Sequence, residues 1–442
     1  MLELAVHHVE KDTKLRSPDN LLVREKEGKF LILNPNVPAW LITNEVGIAI
    51  LRLCDGTRTC SQIAQEANLS CSAVSLKAID EFLHKAYEKK IFEHKRPAYK
   101  LPHFPLRSVY LNITEVCNLQ CTYCYANQRE CSTDLLSLKD YQKLLYSIRA
   151  ISQNVNIHIT GGEPLTSPIL FELVKLVKEH KFTTYLLTNG TLITTENVKL
   201  VVDSFDTIKI SLDGSEAAIH DATRGFGTFD RVMIALNLLE IEKKPYQLSM
   251  TVTKKNIKNV AQMSARFGNK LTFAPYFPQR ANSSLNSELA ITGAEYFHAL
   301  SEVIEINPYC DIDAIISENK RNQIRQKCSI ADGSISIASN GDVYPCQLLH
   351  FNQFKAGNIQ ESAFEEIYLK SPTLLALREQ TVENVKGCDT CGVSLLCGGG
   401  CVARHYYETG SLQTAGAFCE YEQLAIPDAL LDRHSLVPIL GS

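Results

Sequence analysis

The sequence predicts an α/β protein built on a parallel sheet, either doubly wound or closed into a barrel, with a small α+β unit ahead of it and a cysteine-rich segment behind it. Three observations carry this. Strand and helix signals alternate regularly from about residue 106 to 306, residues 1 to about 98 follow a different pattern, and seven cysteines crowd the stretch from Cys328 to Cys419. A chain of 442 residues has room for two to three domains.

The first unit opens with β-rich runs at 21–24, 29–33 and 40–43. Three helices are expected next. Asn44 can cap an apolar run over 46–53 that Asp55-Gly56 closes, and Thr59 with Gln62 makes a capping box for the second helix. Ile79, Phe82, Leu83 and Ala86 supply the i, i+3, i+4, i+7 stripe of the third. Lys95 to Pro105, with three basic residues and three prolines, reads as a linker. In the central region the expected strands are 108–113, 156–160, 184–188, 207–212, 247–253 and 270–274, with helices such as 167–180 and 229–241 between them. From about 310 the alternation is expected to give way to loops held by metal as much as by a core.

Charge nearly cancels, with 45 Lys plus Arg against 49 Asp plus Glu, so no general attraction to nucleic acid or anionic membrane is expected. Acidic residues appear at once (Glu3, Glu10, Asp12), and no apolar run approaches the roughly 18 residues of a spanning helix. Fifteen cysteines, an odd count without an export signal, fit a reduced cytoplasm better than a disulfide framework. Cys54, Cys60, Cys71 and Cys131 are scattered and read as small buried hydrophobes.

Cys117, Cys121 and Cys124 follow the first parallel strand within one loop. Thiolates select zinc or iron–sulfur, which normally take four ligands, and only three are offered. The choice lies between zinc with a distant fourth ligand and an iron–sulfur cluster with one iron open to a small molecule. Further along, Thr160-Gly-Gly-Glu-Pro164 ends the second strand and Ser211-Leu-Asp-Gly214 ends the fourth. A Gly-Gly pair lets backbone approach closely, and a carboxylate after it can grip an ammonium group.

In this order the motifs resemble the radical S-adenosylmethionine (radical SAM) enzymes. The resemblance implies a partial (β/α)6 barrel in which Cys117, Cys121 and Cys124 hold a [4Fe-4S] cluster whose fourth iron is chelated by S-adenosylmethionine. It further implies that Gly161, Gly162, Glu163 and Pro164 bind the methionine amino group and that Ser211 and Asp213 serve the carboxylate and ribose. Arg224 would be a carboxylate partner, and Tyr123 would lie beside the adenine. The seven later cysteines resemble the SPASM extension with two auxiliary [4Fe-4S] clusters, making three clusters in all. By that resemblance Cys388, Cys391, Cys397 and Cys419 hold the outer cluster, and Cys328, Cys346 and Cys401 the inner. Cys310 is expected to complete the inner one, with an open iron as the alternative. Two zinc ribbons from Cys388 onward are the plain alternative. Sulfatase maturases in this family place an aspartate after the cysteine equivalent to Cys346; Gln347 stands here and cannot act as base.

The N-terminal unit resembles the RiPP recognition element, a winged-helix-like domain that captures precursor-peptide leaders by strand addition. A DNA-binding winged helix is disfavoured because 73–90 nearly balances its charges. The implied organisation is a leader-binding domain (1–98), a radical SAM core (99–306) and a SPASM domain (307–442). The implied activity is oxidative crosslinking of a ribosomally made peptide, as thioether or carbon–carbon bond, begun by a 5′-deoxyadenosyl radical. The auxiliary clusters would accept the released electron, with flavodoxin or ferredoxin as donor. An epimerase, a backbone-excising enzyme, an enzyme on a small molecule and a non-catalytic iron–sulfur scaffold are the alternatives.

Overall fold

The computed structural model describes residues 9–70, 74–98, 101, 103–124, 135–278, 283–304 and 325–433. In the first unit β1 (Lys14–Arg16), β2 (Leu22–Lys26), β3 (Lys29–Asn34), β4 (Ala39–Thr43) and β5 (Asp55–Thr59) accompany helices Glu45–Leu53, Cys60–Ser70 and Leu76–Glu88. The expected caps form: the Asn44 side chain accepts from Gly47 N–H at 3.1 Å, and Thr59 and Gln62 exchange bonds of 2.9 and 3.3 Å. The expected three strands are β2, β3 and β4, paired antiparallel with β3 central. Two further strands were not anticipated. Asp55-Gly56 begins β5, which pairs with β1, because Cys54 already ends the helix through its N–H to Leu51.

In this sheet β3 and β4 are buried on both faces, whereas β2 is largely exposed. Ile32 and Leu41 pack among the three helices, beside the buried Cys54 and Cys60. On the opposite face Leu31, Leu33 and Ile42 pack against Ala425, Ile426 and Leu430 of helix Glu420–Arg433 and against Val393. Lys26 adds ion pairs of 2.7 Å to Asp428 and 2.9 Å to Asp432. The N-terminal unit is thus wedged into the C-terminal segment.

The central region forms the parallel sheet β6 (Ser108–Asn112), β7 (Asn156–Thr160), β8 (Thr183–Thr188), β9 (Thr207–Ser211), β10 (Tyr246–Val252) and β11 (Leu271–Pro275), each strand beside the next. Alternate residues such as Val109, Ile157, Leu186, Ile208 and Leu248 turn outward into one core with the covering helices. The other face is the barrel interior. Beyond residue 310 the structure departs from the loop-rich expectation. β12 (Ser334–Ile337) joins β6 in parallel, and β13 (Asp342–Tyr344) and β14 (Gly357–Asn358) continue antiparallel, so one sheet of nine strands crosses the expected boundary at 306/307. Ile335, Ile337 and Val343 belong to the barrel's own core, which is why the segment folds onto the sheet.

Candidate active site

The three cysteines of the first motif leave β6 in a loop stitched to its neighbours by backbone. Gly162 N–H donates to Thr114 O at 2.7 Å, and Glu163 N–H to Val116 O at 2.8 Å. Gly161 has φ +136°, and a Cβ there would stand 2.3 Å from Thr114 O; a Cβ on Gly162 would stand 2.3 Å from Val116 O. The two glycines therefore let the loop after β7 lie directly on the cysteine loop. Pro164 is buried in the short turn that follows.

Glu163 is fully buried with its carboxylate directed inward, accepting from Thr188 Oγ1 at 2.7 Å, Asn189 N–H at 2.8 Å and Leu165 N–H at 3.2 Å. Asn189 in turn donates to Asn118 Oδ1 at 2.9 Å, and its Nδ2 lies 4.0 Å from Cys117 Sγ. Thr188, Asn189 and Thr191, which Asn118 contacts at 2.9 Å, hold the cysteine loop and were missed from sequence. The available signal was Thr-Asn-Gly-Thr at the end of the third parallel strand, the one strand end among the first four left without a motif.

Ser211 sits half-buried at the end of β9. Asp213, Arg224 and Tyr123 are tied to one another: Arg224 Nε donates to Asp213 Oδ2 at 2.6 Å, Tyr123 donates its hydroxyl to the same oxygen, and the guanidinium lies 5.5 Å from the Tyr123 ring. Thr251 N–H completes the carboxylate at 2.9 Å. His220, also missed, accepts from Asp213 N–H at 3.1 Å, and burial together with Arg224 lowers its pKa to about 4.

The later cysteines fall into two groups. Cys346 lies within electrostatic reach of Cys401 and Cys328, whereas Cys397 and Cys419 are close to Cys388, and Cys419 also to Cys391. A Gly398-Gly399-Gly400 turn, all left-handed at φ +77°, +84° and +61°, separates Cys397 from Cys401 and sends them to different groups. Cys328 is fixed by its neighbour Lys327, whose ammonium reaches Asp332 at 2.7 Å, while Arg378 reaches the same carboxylate at 2.9 Å. Cys310 lies outside the described residues.

These surroundings suit iron–sulfur clusters. Backbone N–H groups point at the sulfurs: Leu119 at Cys117 (3.4 Å), Ile330 and Val402 at Cys328, and Ala403 and Arg404 at Cys401. Such donors stabilise cluster thiolates. Among the described residues no three His, Cys, Asp or Glu side chains are grouped as a single metal ion would require. Burial raises the Cys121 thiol to about 11 and Cys346 and Cys419 to about 12, so iron would have to displace their protons.

Residues 111–263 match the radical SAM superfamily, and residues 328–392 match the iron-sulfur cluster-binding SPASM domain. The chain is a radical SAM enzyme with a SPASM domain; the first domain binds S-adenosylmethionine and a [4Fe-4S] cluster, and the second carries auxiliary iron–sulfur clusters. It is 26% identical over 343 residues to the AdoMet-dependent heme synthase of Methanosarcina barkeri, covering 71% of this chain and 96% of that protein. To the mycofactocin maturase MftC of Mycobacterium tuberculosis it is 26% identical over 321 residues, 67% of this chain and 78% of that one. Streptococcus suis SuiB bound to precursor peptide SuiA shares the fold with a TM-score of 0.57 and 18% identity, over 92% of this chain and 100% of that one. No helix among the described residues is long and apolar enough to cross a membrane.

Proposed function

We propose that the enzyme modifies a ribosomally synthesised precursor peptide, forming a thioether or carbon–carbon crosslink. The observation that carries this reading is the N-terminal unit. A match to SuiB over 92% of the chain takes in most of it, while β2 and β4 leave two sheet edges to which a leader strand can pair. When bound, the cofactor and clusters supply a reductive cleavage that yields a hydrogen-abstracting carbon radical, and a sink for the electron released on bond formation. The chain's own residues fix the geometry. Glu163, Asn189 and Asn118 hold the cysteine loop, Asp213 and Arg224 hold Tyr123 beside it, and Cys346, two residues beyond β13, packs with Cys328 and Cys401 around Leu349 and Val402. Ser211 and Arg224 are the candidates for the methionine carboxylate, and a flavodoxin or ferredoxin in the cytoplasm is the proposed reductant.

The similarity to a heme synthase favours a second reading, a small-molecule substrate, but that reading leaves the N-terminal unit without a role. Hydrogen exchange on the holoenzyme, with a short peptide encoded beside its gene, separates the two. Leader capture protects amides of 22–26 or 39–43, and the product peptide is lighter by two hydrogens. Absence of both protection and mass change would sink the proposal.

A further inference from the structure

The open edge of β2 borders a cavity. Leu21, Val23, Ile32, Ile48 and Leu51 form the apolar lining of a pocket of about 500 Å³ between β2 and helix Glu45–Leu53, with the exposed Arg52 at its rim. Glu27 and Gly28, both left-handed at φ +53° and +75°, make the two-residue turn that pairs Lys26 with Lys29. From that closing pair the ladder alternates, so Lys26, Arg24 and Leu22 bond to β3 while Glu25 and Val23 turn their N–H and C=O groups to the open edge. Among the described residues the only partner of those groups is the Arg24 guanidinium, 3.3 Å from Val23 O. Val23 shares the helix-facing side with its register partner Ile32, yet 43% of it is exposed. β4 offers less, since Leu41, Ile42 and Thr43 are buried. The charges at the pocket do not cancel. Arg16 pairs with Asp19 at 3.4 Å and Asp55 pairs with Arg58, which leaves Arg52 the one lining cation without an ion pair among the described residues.

We propose that β2 is the edge that takes the leader peptide, and that the pocket beside it selects an apolar side chain of the added strand together with an acidic one for Arg52. The inference rests on the leader-capture reading and goes further by naming the edge and the residue types it accepts. A strand paired to Val23 and Glu25 turns alternate side chains to the face that Val23 shares with Ile48 and Leu51, so the residue opposite Val23 enters the pocket. Backbone pairing is blind to sequence, whereas an apolar lining with one unmatched cation is not. A carboxylate near Arg52 gains an attraction that a neutral or basic side chain lacks.

The test uses the anaerobically reconstituted full chain and the short peptide encoded beside its gene, labelled with fluorescein, with affinity read by anisotropy and amide protection by hydrogen exchange. Protection is expected at the Val23 and Glu25 amides. Val23→Pro removes an outward N–H that the fold does not use, and should weaken binding at least roughly tenfold with iron content unchanged. Arg52→Glu, at an exposed position, should weaken binding roughly three- to tenfold at low salt and little at high salt, and a peptide with its acidic residues changed to Lys should regain that loss. Protection at 39–43 with undiminished affinity in Val23→Pro overturns the assignment and leaves leader capture standing, whereas protection in neither strand sinks leader capture itself. An Arg52→Glu chain that binds like the wild type overturns the acidic preference. Self-association of the chain through 22–26 gives the edge to a second copy and overturns the assignment as well.

Discussion

Arg224 Nε stands 2.6 Å from Asp213 Oδ2, and the two side chains are 9% and 0% exposed. This pair joins the end of β9 to helix Ala217–Arg224, and because Tyr123 donates to the same carboxylate it also anchors the cysteine loop from below. Thr122 N–H adds a 2.9 Å bond to Thr223 O. The cofactor loop is therefore held from two sides, by Asp213 and Arg224 on one and by Glu163 and Asn189 on the other.

Replacing Arg224 with Ala strands a buried carboxylate, with a cost of about 3–5 kcal/mol. Chemical denaturation should show that loss, and Asp213→Asn combined with Arg224→Gln should recover part of it. A cost below about 1 kcal/mol for the single variant would mean that solvent already reaches the pair.

Gly162→Ala drives a methyl group into Val116 O, and relief requires the cysteine loop to move. The reconstituted wild type should hold about twelve iron atoms and the variant about eight, because only the cluster at Cys117, Cys121 and Cys124 is disturbed. Iron analysis checks this directly; a full complement in the variant would show that the loop tolerates the shift.

Acid should weaken the fold over a defined window. His158 and His220 are both lowered from 6.5 to about 4, chiefly by burial, with Lys209 and Arg224 assisting respectively. The unfolded chain therefore takes up protons first as pH falls. The stability of the neutral folded form is complete above about 6.5 and is lost progressively toward 4, by at most about 3 kcal/mol for the fully buried His220. Denaturation at pH 7 and pH 5 measures the loss, and His158→Gln should reduce the slope.

Ile426, 1% exposed, fills the contact between helix Glu420–Arg433 and the N-terminal sheet. Ile426→Ala should cost about 2–5 kcal/mol. Trp40, the only tryptophan, packs against the same cluster, so its emission should shift to the red. An unshifted spectrum would argue that the unit docks without this contact. The same packing makes removal of residues 1–98 a poor probe of leader binding, since it bares Ile426 and Leu430 as well.

Much of the barrel was legible because each strand carries a local pattern. Val109, Leu111, Ile157 and Ile159 alternate with polar residues, and the cysteine, Gly-Gly-Glu-Pro and Ser-Leu-Asp-Gly motifs sit where those patterns stop. The caps at Asn44 and Thr59 are likewise bonds across three residues, and local spacing specifies them. Other features join residues distant in sequence, which periodicity cannot encode. Nothing in Ser334–Ile337 announces that it extends the sheet beside Ser108, because strand pairing is decided by which outward faces share a core. Glu163 was read as a ligand for an ammonium group; that its carboxylate also accepts from Thr188 and Asn189 is set only once β7 and β8 lie side by side. The sequence by itself determined the local elements and the chemical kinds of ligand, since both depend on neighbours within a few residues. Burial, pairing and the electrostatic setting of each group depend on contacts across a hundred residues or more, and those the tertiary structure alone decided.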